Sequence, residues 1–125
     1  MVKALHTNDA PQAIGPYSQA IDLGDLVFVS GQIPINPASG EVEETGIEEQ
    51  TEQVMKNIEA VLKEASLTFS NVAKFTIYLT DLENFAKVNE VYAKFLSEPY
   101  PARACVEVSK LPKGVGVEID VIAKR

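Results

Sequence analysis

A chain of 125 residues, 46% hydrophobic and 23% charged, has the composition of one globular domain, 1–125, long enough to bury a core without staples. Its net charge of −7, with lysines interspersed among the acids, argues against a phosphate-tracking surface, so no nucleic-acid partner is expected. One cysteine (Cys105) and one histidine (His6) exclude an internal disulfide and the usual zinc sites.

The opening residues Met1–His6 turn polar before an apolar segment forms, and no run approaches the length of a membrane span, so a cytosolic location is expected. Residues 2–5 suit a short edge strand. The loop Thr7–Pro16, with two prolines and a glycine, is long for a compact domain, and such loops are often functional. Tyr17 ends it before a strand-like Ser18–Asp22. Gly24-Asp25 then turns the chain into Leu26–Ser30, apolar on both faces and so central in a sheet. Gly31 begins a second loop, which runs to Gly46. Locally, Tyr17, Ser30 and Gly31 read as a turn packed on a strand end.

A helix is predicted from Thr45, with Thr45 and Glu48 as a capping box and an acidic first turn. Its stripe is Ile47, Val54, Ile58, Val61, Leu62 and Ala65. Period two returns with Phe75, Ile77 and Leu79 on one side and Lys74, Thr76, Tyr78 and Thr80 on the other. Asp81 can cap a second helix whose core side is Phe85, Val88, Val91, Tyr92, Phe95 and Leu96. Asn89 lies off the centre of that stripe. Pro99 and Pro101 stop the helix.

Ala102, Ala104, Val106 and Val108 alternate with Arg103, Cys105 and Glu107. After a turn-rich Ser109–Gly114 the alternation resumes in Val115, Val117, Ile119 and Val121. This pattern predicts an antiparallel hairpin. Matching its apolar faces puts Arg103, Cys105, Glu118 and Asp120 on the other face. Arg103 and Glu118 become diagonal neighbours, roughly 7–8 Å apart at Cα. Two readings stay open. One is a cross-strand ion pair of small energetic consequence, with Cys105 a small buried hydrophobe. The other is a site holding a very small molecule between a cation and a carboxylate.

The expected order is β-β-β-α-β-α-β-β, an α+β fold with two helices on one face of a mixed sheet. The opposite face, read as carrying Thr76, Tyr78, Arg103, Cys105 and Glu118 beside apolar Val27, Val29 and Ile122, suits burial against identical subunits in a closed ring. Gly114-Val115-Gly116 is not a dinucleotide fingerprint, and no Walker A loop or Gly-x-Ser-x-Gly occurs. Ser–His or Cys–His catalysis would need the single histidine near the N-terminus. Arg103 with Glu118 remains. A guanidinium takes a carboxylate by paired hydrogen bonds, and a nearby carboxylate positions or deprotonates water, with no cofactor or metal.

Several ordered segments carry a resemblance. They are Ala13–Ala20 (Ala-Ile-Gly-Pro-Tyr-Ser-Gln-Ala), Val29–Pro34, Gln53–Ile58, Val88–Tyr92, Pro101-Ala102-Arg103, Leu111–Gly114 and Val117-Glu118-Ile119. The chain resembles, nearly end to end, the RidA group, also called the YjgF-like family. The resemblance implies a chorismate-mutase-like fold and a homotrimer around a central barrel, with three sites at subunit clefts. It implies hydrolysis of 2-imino acids, the tautomers of enamines released by pyridoxal-phosphate enzymes, to 2-oxo acids and ammonia. By the same resemblance Arg103 matches the arginine that holds the substrate carboxylate, and Glu118 the glutamate that orients or activates water. Tyr17, Ser30 and Gly31 match pocket positions, Cys105 a strand position whose backbone meets the ligand, and Asn89 a helix position near the cleft. The competing readings on this scaffold are a small 2-oxo-acid-binding regulatory protein and an RNA-cleaving translation inhibitor. A chorismate mutase is a third, which the motifs do not match.

Overall fold

Residues 74–79 alternate between core and open face, as their sequence predicts, and the strand they belong to has a neighbour on each side. The computed structural model describes residues 2–125. In chain order the elements are β1 (Lys3–Leu5), β2 (Ala20–Asp22), β3 (Leu26–Gln32), β4 (Ile35–Asn36), β5 (Glu41–Val42), α1 (Ile47–Glu64), β6 (Val72–Leu79), α2 (Phe85–Ala93), β7 (Ala102–Glu107) and β8 (Val117–Lys124). Six strands form one sheet in the order β1-β2-β3-β8-β6-β7. Its pairings are antiparallel except for β6 with β7, which is parallel. The small β4–β5 hairpin occupies the segment read from sequence as loop.

The predicted β7–β8 hairpin does not form. β6 lies between the two strands, pairing with β7 through Phe75↔Arg103 and with β8 through Tyr78↔Glu118. A β6-α2-β7 crossover makes the parallel pair. The chain after β7 then steps over the end of β6, tied by Val108 N–H to Leu79 O (2.8 Å) and Thr80 N–H to Gly116 O (3.2 Å). Alternation reported the two strands correctly but not what separates them.

Both helices pack on one face. Val54, Met55, Ile58, Val61 and Leu62 of α1 and Val88 and Tyr92 of α2 are buried with Phe75, Ile77 and Leu79 of β6 and Val117, Ile119 and Val121 of β8. Each such large side chain contributes about 1.5–3 kcal/mol by leaving water. Val27 and Val29 also face the helices, because they pair with Ala123 and Val121; the expectation that they share the open face is overturned. β3 is apolar on both sides, so its pattern could not say which side was which. The open face carries Phe28 (41% exposed) and Val106 (44% exposed), with Ile122 opposite Phe28.

The α1 start also differs. Gly46 is its N-cap, without a side-chain cap bond, so the Thr45–Glu48 box is absent. Gln50 fixes the entry instead, donating to Glu44 O (3.0 Å) and accepting from Gly116 N–H (2.9 Å). A capping box does form at Thr68 and Asn71 before β6. Asp81 caps as expected, accepting from Glu83 N–H (2.9 Å), but on a 3₁₀ turn that leads into α2.

Candidate active site

Glu118 projects from the open face of β8, opposite Tyr78. Across from it, β3 carries a bulge. Val29 pairs with Val121 and Gln32 with Ile119, so Ser30 and Gly31 together oppose the single Asp120. The bulge brings Gly31 against the Glu118 side chain, where a Cβ on residue 31 would stand 2.1 Å from Oε2. Only a residue without a side chain leaves that room. The Ser30 hydroxyl donates to Ser18 O (2.6 Å), and Ser30 N–H to Gln19 O (2.9 Å).

The loop before β2 closes one side. Buried Gln19 holds it by accepting from Thr7 N–H (2.8 Å) and donating to Thr7 O (3.0 Å) and Pro11 O (2.7 Å). Asn57 of α1 does the same for the segment after β3, donating to Ile33 O (3.1 Å) and Ile35 O (3.0 Å). Between these walls lies a cavity of about 510 Å³, lined by Ile14, Tyr17, Ser30, Gly31, Ile33 and Glu118 among others. Its lining includes no lysine, arginine or histidine. Burial, and secondarily the neighbouring Asp120 carboxylate, push the Glu118 carboxyl above its ordinary range.

Arg103 stands elsewhere. It pairs with Phe75 and therefore projects from the helix side of the edge strand β7. Its Nη1 donates to Asn89 Oδ1 of α2 (2.5 Å), and Cζ lies 5.2 Å from the Phe85 ring centre and 5.3 Å from that of Tyr92. Two aromatic faces and one amide thus hold the cation in a fixed pose while it stays exposed. Cys105, two residues on, is half-buried against the core. Burial pushes its thiol up, opposed by the Arg103 charge, so it is a poor thiolate.

Within one chain, then, Arg103 and Glu118 do not meet. They sit on opposite faces of the sheet, two strands apart and offset along β6, roughly 14 Å by strand geometry. The predicted diagonal contact and the shared face of Arg103 and Cys105 with Glu118 and Asp120 are overturned, because β6 intervenes. Tyr17, Ser30, Gly31 and Glu118 form one cluster; Asn89, Arg103 and Cys105 form another. Pattern reading missed Gln19 and Asn57, whose buried amides carry no periodic signal. It also missed Phe85 and Tyr92 as neighbours of Arg103, since both count as core in a helical stripe. Among the described residues no group of three or more His, Cys, Asp or Glu could hold a metal, and no helix is long and apolar enough to cross a membrane.

A family model described as Endoribonuclease L-PSP matches residues 7–125. The RutC family protein y4sK of Sinorhizobium fredii is 54% identical over 122 residues, 98% of this chain and 97% of that protein. Among solved structures, RidA from the Antarctic bacterium Psychrobacter sp. has a TM-score of 0.95 at 46% identity, covering 98% of this chain and 99% of that one. E. coli TdcF, solved with bound serine, has a TM-score of 0.94 at 44% identity, covering 98% of each.

Proposed function

The chain belongs to the RidA/YjgF family, matched by the Endoribonuclease L-PSP model, and on that premise we propose that it hydrolyses small 2-imino acids to 2-oxo acids and ammonia. Iminobutanoate and iminopropanoate are the substrates we assign to it. One observation carries the reading. The chain presents two half-sites, a braced and exposed guanidinium at a sheet edge and a carboxylate-bearing cavity on the opposite face. Each lacks what the other has. A closed ring of identical chains joins the Arg103 cluster of one copy to the Glu118 cavity of the next. The ring is a homotrimer in this reading. Exposed Phe28 and Val106 give the open face a reason to be covered.

In the joined site Arg103 grips the substrate carboxylate, which fixes the imine carbon beside a water on Glu118. Glu118 takes a proton as the water oxygen attacks the iminium carbon, giving a neutral carbinolamine. It returns that proton to nitrogen, the C–N bond breaks, and the hydroxyl proton passes to Glu118 as the 2-oxo acid forms. Ammonia leaves. A carboxyl group with raised proton affinity suits both halves of this cycle. Tyr17, Ser30 and Gly31 line the pocket, Asn89 braces Arg103, and the backbone at Cys105 borders the carboxylate.

The test is ammonia release from freshly generated 2-iminobutanoate, with and without the protein. Acceleration that Arg103→Ala abolishes supports the reading; equal rates with and without protein overturn it. Serine bound in E. coli TdcF favours a second reading, a binding module for small amino or 2-oxo acids that turns nothing over. Saturable 2-oxobutanoate binding without ammonia release would select it. The net charge of −7 counts against RNA as a substrate.

A further inference from the structure

Glu118 is not the only acid on its face of β8. Asp120 follows at the next position on the same side, and Ser30 and Gly31 of the β3 bulge oppose it. The Tyr78 hydroxyl, from the residue paired with Glu118, reaches diagonally past it to donate to Asp120 Oδ2 at 3.0 Å. A phenol in that position fixes where the Asp120 side chain points, because its hydroxyl donates to one carboxyl oxygen.

We propose that Tyr78 and Asp120 act as positioning residues: the phenol pins the Asp120 side chain on the open face beside Glu118, and that placement equips Glu118 to take up and return a proton. This inference rests on the hydrolytic role given to Glu118 above, and it adds the device that lets one carboxyl both accept and return a proton. Among the groups facing Glu118 in one chain, Asp120 is the charged one. Along β8 there is Asp120; from β6 come Tyr78 and the uncharged Thr76; from β3 come Ser30 and Gly31; from the loop before β2 comes Tyr17. None is cationic in one chain. Burial and Asp120 both raise the proton affinity of Glu118. Burial and the Asp120 hydrogen bond likewise push the Tyr78 phenol up, so Tyr78 remains a donor throughout the working range. When substrate binds, its carboxylate neutralises the incoming Arg103, and the bias from Asp120 is left in force.

The test is a carbon-13 NMR titration of glutamate side chains in the assembled protein, with the Glu118 signal identified by its loss in Glu118→Gln. Asp120→Asn keeps the acceptor for Tyr78 but removes the charge, and is expected to lower the Glu118 midpoint. The acid limb of kcat against pH should move down with it. Tyr78→Phe keeps the charge but unpins the Asp120 side chain, and is expected to move the Glu118 midpoint in the same direction by a smaller amount. An unchanged Glu118 midpoint in Asp120→Asn overturns the proposal, as does an unchanged midpoint in Tyr78→Phe. If the midpoint moves as expected while no form of the protein releases ammonia, the pairing stands and the hydrolytic reading falls.

Discussion

The carboxylate of Glu118 lies against the backbone of Gly31, so close that a methyl added there would stand 2.1 Å from Oε2. The obstacle is the end of a flexible side chain, so the fold survives the collision by moving Glu118. Gly31→Ala is therefore expected to lower imine hydrolysis about 10- to 100-fold through misplacement of the carboxylate. Its stability should change by less than about 1 kcal/mol. Rates of ammonia release and urea midpoints, measured side by side, check both halves.

Arg103 is exposed and braced from one side only, by Asn89, Phe85 and Tyr92. Arg103→Lys keeps the charge but loses the planar fork that engages both oxygens of a carboxylate. Loss of one charge-assisted hydrogen bond, about 1.5–3 kcal/mol, corresponds to roughly 10- to 150-fold in kcat/KM. Stability should stay within about 0.5 kcal/mol, as for other surface substitutions. Steady-state kinetics with a thermal unfolding control measure this.

The raised Glu118 carboxyl has a consequence for stability. Between its ordinary value of 4.5 and its higher folded value, the native chain binds more protons than the unfolded chain. Stability therefore falls as pH rises through that window. Glu118→Gln removes the buried charge, so the variant is expected to be more stable than the parent at pH 7. The difference should vanish below about pH 4.5, where Glu118 is neutral in both states. Unfolding midpoints across pH 3.5–8 check the sign.

Gln19 is buried and bonds to Thr7 through both ends of its amide and to Pro11 through its nitrogen. Gln19→Leu keeps the bulk but leaves those backbone groups without partners. Each of the three stranded groups costs about 1–3 kcal/mol, so a total loss of at least about 3 kcal/mol is expected. Faster hydrogen exchange confined to residues 7–16 would identify the loop as the part released.

Much of this molecule was legible in its sequence. Alternation in Lys74–Leu79 and in Val117–Lys124 and the apolar stripe of α1 found the elements and their buried sides. The strand partners were not legible. Period two gives the face of a strand but not its neighbour, and the turn-rich segment after Val108 fits a hairpin as well as a step across β6. That single ambiguity moved Arg103 to the wrong face. The β4–β5 hairpin was missed because two-residue strands carry no period. Asn89, which the structure places on Arg103, came from family resemblance, since one polar residue on a helix carries no pattern of its own.

The central claim, that Arg103 of one copy and Glu118 of another complete each site, is tested most directly by mixing two disabled variants. Arg103→Ala and Glu118→Gln are each expected to be inactive alone. Unfolded and refolded together in equal amounts, they should recover about a quarter of parental activity, because random assembly joins two intact halves in that share of the interfaces. Mixing without refolding serves as the control. A refolded mixture that contains mixed assemblies yet stays as inactive as its components would contradict the account.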